Sequence, residues 1–141
     1  MMRTENSVRG TLPIPSMIKQ HGLNAAIGIN NIGNAFTPQG SCDPLSIASQ
    51  GVGVYQAGTK RDAEILYECI STRARAAIGL SEKSDPQNST TLELEPKQSA
   101  NLLLFGKEDQ DWRTRHNVQE VVYLYDSCTS RIVIKGGLMV K

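Results

Sequence analysis

Apolar residues change their spacing along this chain. Residues 13–80 alternate helical patterns with one short apolar run, whereas residues 100–140 carry brief runs of strand length. In the first part, PSMIKQHG reads as a short helix that Gly22 closes, since glycine enters the left-handed conformation of a helix C-cap without a steric penalty. LNAAIGI, residues 23–29, is nearly unbroken and suits a parallel strand covered on both faces. Asp43 and Pro44 then supply a cap and a first-turn proline, and Leu45, Ala48, Val52 and Tyr55 recur at helical spacing, weakened by Gly51 and Gly53. Thr59 with Asp62 three residues on forms a capping-box pattern. Ala63, Leu66, Tyr67 and Ile70 line one face of the helix it opens, and Gly79 ends a final turn.

The second part has a strand-like pattern. ANLLLFG and VQEVVYLYD are predicted strands, and SRIVIKGGLMVK is a predicted hairpin whose Gly136 and Gly137 can take the positive φ angles of a tight turn. Together they predict a small antiparallel sheet. Between the two parts, residues 81–99 form a polar linker or surface loop, with residues 91–95 alternating like one short strand.

Composition narrows the function classes. A chain of 141 residues suits one compact domain or part of one. Fifteen Lys and Arg against fourteen Asp and Glu, with no block of like charges, do not make a nucleic-acid footprint. No apolar run approaches the roughly 20 residues of a membrane span, and the polar start MMRTENSVRG is no secretory signal. Cys42, Cys69 and Cys128 are odd in number and widely spaced, which argues against a disulfide framework or a cysteine zinc site and fits a reduced, cytoplasmic setting. The Asn88-Ser89-Thr90 triplet is read as chance in that setting.

Little chemistry stands out. His21 and His116 are the only histidines, and two isolated imidazoles do not furnish the three protein ligands of a catalytic zinc. His21 suits the negative end of a helix dipole, His116 a solvated charged segment, and Cys69 a packed core. The exception is INNIGN, which directly follows the apolar run. In parallel α/β proteins the loops leaving strand C-termini hold the reactive groups. Asn and Gly also serve plain turn chemistry, because both tolerate left-handed backbone angles.

The order of these phrases resembles the C-terminal third of the amidohydrolase superfamily, with the cytosine deaminase type nearest. Members end their barrel on a strand whose tip carries a metal-binding Asp, then show a "T...A..LGL" phrase, an "ADLVVL" strand and a "V..V.V.GG" hairpin. Residues 70–80, 100–105 and 121–137 match these in kind and order, and the resemblance covers roughly residues 10–140. It implies an α/β fold made of the terminal portion of a (β/α)8 barrel over residues 1–80, the linker 81–99, and the accompanying small sheet over 100–141. A whole barrel takes about 250 residues, so this chain does not hold one.

Carried over position by position, the resemblance places the metal-binding, proton-transferring Asp on Asn30, the neighbouring substrate-contacting acid on Asn31, and a pocket aromatic on Phe36. The chain departs from the pattern here, because an amide carries no charge and does not take up the proton of a metal-bound water. No Asp lies between Glu5 and Asp43 to restore the match. The resemblance implies a hydrolase acting on carbon–nitrogen bonds of small cyclic amides or amidines with a divalent metal, zinc or iron. This chain lacks most of that metal site and is expected to be inactive alone. It needs the missing barrel or self-associates, and neither nucleic acid nor membrane is an expected partner. The alternative is a non-catalytic binding or structural module derived from such an enzyme.

Overall fold

The computed structural model describes residues 10–30, 32–35, 40–80, 96, 100–105, 115–125 and 131–140. In chain order they form α1 (Ile14–His21), α2 (Pro44–Val54), α3 (Lys60–Ile70), α4 (Thr72–Ala77), β1 (Leu102–Phe105), α5 (Val118–Tyr123), β2 (Arg131–Lys135) and β3 (Leu138–Val140). The fold is therefore mixed α/β, with a cluster of helices and a three-stranded antiparallel sheet of order β1-β2-β3. None of the described helices is long and apolar enough to cross a membrane.

The helix boundaries follow from local chemistry. Gly22 closes α1 at φ 63°, and its N–H bonds back to Ile18 O. The Asp43 carboxylate accepts from Leu45 N and caps α2, with Pro44 in the first turn. Thr59 and Asp62 cap each other at the start of α3, each side chain receiving the other's backbone N–H. Gly136 and Gly137 both have positive φ, 57° and 82°, and join β2 to β3 in the expected tight turn.

Helix α3 is central because it is buried on two sides. Ala63 and Leu66 pack with Leu45 and Ala48 of α2, Ala57, and Val122 of α5. On the other side Ile65 and Cys69 pack with Ile18 of α1. An ion pair ties α1 to α3 where Lys19 Nζ donates to Asp62 Oδ1 at 2.7 Å. The Tyr123 hydroxyl donates to Ala57 O at 2.9 Å and pins α5 to the α2–α3 connection.

Two expected elements are corrected. VQEVVYLYD is not a strand, because residues 118–123 of it form α5. Asn117 Oδ1 accepts from Glu120 N, while the Glu120 carboxylate accepts from His116 N and Asn117 Nδ2, so the helix start is capped from both directions. Val118, Val121, Val122 and Tyr125 share helical spacing, and full burial of Val122 outweighs the strand preference of valine. Nor is residues 23–29 a strand covered on both faces. Leu23, Ala25, Ile27 and Ile29 are half-buried while Asn24, Ala26 and Gly28 are exposed, and the run pairs with no strand among the described residues.

The sheet is unusual in its surface. Leu104 and Met139 on one face, and Leu103, Val133 and Leu138 on the other, are all exposed. The linker, apart from Pro96, and its alternating stretch 91–95 lie outside the described residues.

Candidate substrate pocket

Residues 23–27 are held against the end of α3 and the start of α4 by one backbone bond and two side-chain donors. Ile27 N donates to Cys69 O at 3.1 Å, the Cys69 thiol donates to Ala25 O at 3.7 Å, and Arg73 Nη1 donates to Leu23 O at 3.4 Å. Leu23, Ala25 and Ile27 thereby face the helix. Burial pushes the Cys69 thiol above its ordinary range, which keeps it neutral and fits the packing role expected of it.

At the end of that run lies a cavity of about 410 Å³. Its half-buried walls are Ile27, Ile29 and Ile32, Ile47 of α2, Ile70 of α3 and Ala74 of α4. Its exposed lining includes Asn30, Cys42 and Pro44, so two connections meet across the opening. Among the described residues no charged side chain lines it. The volume is in the range of small-molecule sites, which are mostly apolar with a few placed polar groups. A neutral, ring-sized ligand fits this chemistry: isoleucines for its faces, and the Asn30 amide as both donor and acceptor for its edge.

Among the three residues expected to form the site, Asn30 lines the cavity; Asn31 and Phe36 lie outside the described residues. His21 and His116 are both exposed, and among the described residues no three His, Cys, Asp or Glu gather as a metal-holding group. The side-chain donors that the described residues bring to the cavity, the Asn30 amide and the Cys42 thiol, do not match the several imidazoles and a carboxylate of a catalytic divalent centre. No step is therefore assigned to a metal here.

Sequence reasoning did not place Cys42, Pro44, Ile47, Ile70 or Ala74 in the site. Asp43-Pro44 was legible as a helix start, and such a start beside INNIGN was the available signal that the two connections meet. It also missed a charged cluster beside the opening. Arg131 forms an ion pair with Asp43 Oδ2 and lies 5.7 Å and 5.6 Å from the ring centroids of Phe105 and Tyr125. Burial works against ionisation of Asp43, but the Arg131 guanidinium beside it and the N–H of Leu45, with a smaller part from Tyr125, hold its carboxyl below the usual range.

Comparison with known proteins yields no significant match to a family model, a curated protein or a solved structure.

Proposed function

We propose that this chain is the C-terminal part of an amidohydrolase-related, metal-dependent hydrolase of the cytosine deaminase kind, acting on carbon–nitrogen bonds of small cyclic amides or amidines. The observation that carries the reading is Asn30. It follows the apolar run that the resemblance aligns with the last barrel strand, and it lines a ring-sized apolar cavity. In this reading the chain supplies the apolar walls and one amide for the substrate edge, and the metal ligands come from barrel strands outside it. The exposed apolar side chains on both faces of the sheet support a chain that is completed by further protein or by self-association. The setting is cytoplasmic.

The neutral amide at Asn30 favours a second reading, a non-catalytic binding module descended from such an enzyme. Both readings place a neutral cyclic amide in the cavity. Titrating cytosine and related cyclic amides into the isotope-labelled chain is expected to shift the resonances of Asn30, Ile47 and Ala74. Absence of shifts at millimolar ligand removes both. Analytical ultracentrifugation addresses the fragment separately: a stable monomer that unfolds cooperatively overturns it, whereas association supports it. Ammonia release from cytosine by the purified chain with added zinc or iron overturns the expectation that it is inactive alone.

A further inference from the structure

Strand β2 contacts β1 on one side and β3 on the other, and among the described elements no helix packs against either face of the sheet. The connection between sheet and helices is made instead by a long side chain. Arg131 opens β2, and its guanidinium reaches Asp43, the cap of α2, and lies near the rings of Phe105 from β1 and Tyr125, two residues past α5. The ion pair is well shielded, with 14% of the Arg131 side chain and 21% of that of Asp43 accessible. Asp43 stands between Cys42 and Pro44, both of which line the cavity. Whatever holds Asp43 therefore holds one side of the opening.

We infer that the Arg131–Asp43 ion pair is a latch that couples the position of the small sheet to the shape of the pocket opening, with Arg131 as the positioning residue. The guanidinium suits this task because its planar fork pairs with a carboxylate while its flat face lies over aromatic rings, whereas an ammonium is a compact point charge with neither fork nor face. The inference rests on the cavity geometry and stands whether or not the chain belongs to a hydrolase.

Hydrogen exchange measured on the full chain separates the latch from plain stability. Asp43→Asn keeps a side-chain oxygen for Leu45 N, since Asn caps helices as well as Asp, while it removes the charge and turns an amide donor toward Arg131. It is expected to speed exchange in β2 and β3 by about tenfold to a hundredfold, the range for losing a hydrogen bond to a charged group. Arg131→Met is expected to speed exchange reciprocally in the first turn of α2, and to alter the labelling rate of Cys42 in a Cys128→Ser background. The double variant should do no more than either single one, as for two halves of one interaction. Exchange in α3 should stay unchanged. Silence in the distant element, additive effects, or equal acceleration in α3 each overturn the latch, the last by showing a general loss of stability.

Discussion

Asp43 does two jobs with one carboxylate: Oδ1 accepts from Leu45 N and caps α2, while Oδ2 meets the guanidinium of Arg131 from β2. The two jobs separate by substitution. Asp43→Asn breaks the ion pair and keeps the cap, whereas Asp43→Ala loses the cap as well, and losing a cap costs about 1 kcal/mol. Asp43→Ala is therefore expected to be less stable than Asp43→Asn by about that amount in urea denaturation. Equal midpoints for the two variants would refute the cap as an energetic element.

Acid should loosen the α1–α3 contact. The Lys19 hydrogen bond, with help from Thr59, holds the Asp62 carboxyl below its usual range against the opposing effect of burial. A folded pKa below the unfolded value of about 3.9 means that the folded state favours the ionised form. That stabilisation is complete above the unfolded pKa and disappears as pH falls through the lower folded pKa. The melting temperature should thus hold from neutrality to about pH 5 and drop below about pH 4. Asp62→Asn should be less stable at pH 7 with a shallower acid decline, and an acid profile parallel to the parent would exclude Asp62 as a source of the dependence.

Two glycines in α2 look alike in sequence and differ in surroundings. A Cβ at Gly51 would stand 2.8 Å from Leu66 Cδ2, and Leu66 is fully buried with little room to yield. A Cβ at Gly53 would meet nothing within 4 Å. Replacing helical Gly by Ala gains roughly 0.8–1 kcal/mol, and overpacking a core costs about 1–3 kcal/mol. Gly53→Ala should raise stability by up to about 1 kcal/mol while Gly51→Ala lowers it. Thermal melts of the two variants check the opposite signs, and a stabilising Gly51→Ala would mean that Leu66 repacks freely.

What the sequence made legible was local. The caps at Asp43 and Thr59, the left-handed Gly22 and the Gly136-Gly137 turn each depend on residues within four positions of one another, so pattern was sufficient. The misreading of residues 118–123 came from weighing valine and tyrosine as strand formers while passing over Asn117 and Glu120, whose mutual cap was visible at the right spacing. The run 23–29 has strand-like composition, but only tertiary placement decides whether strands flank it; here α3 supplies its backbone partner through Cys69 O. Arg131 and Asp43 are 88 positions apart, and nothing in either local pattern announces the other.

The character of Asn30 can be tested by restoring a carboxylate. The side chain is exposed at the cavity, so Asn30→Asp meets water and should change stability by no more than about 0.5 kcal/mol. It adds one anionic donor to a lining that otherwise offers the Cys42 thiol, still short of the three protein ligands that a catalytic zinc takes. Calorimetric titration of zinc into the variant is therefore expected to give no tight binding at this position, and no hydrolysis of cyclic amides should appear. If Asn30→Asp instead bound zinc with submicromolar affinity, and Cys42→Ser abolished that binding, the cavity would be a metal site needing one substitution to revive it. The reading that the metal ligands lie on strands outside this chain would then fail.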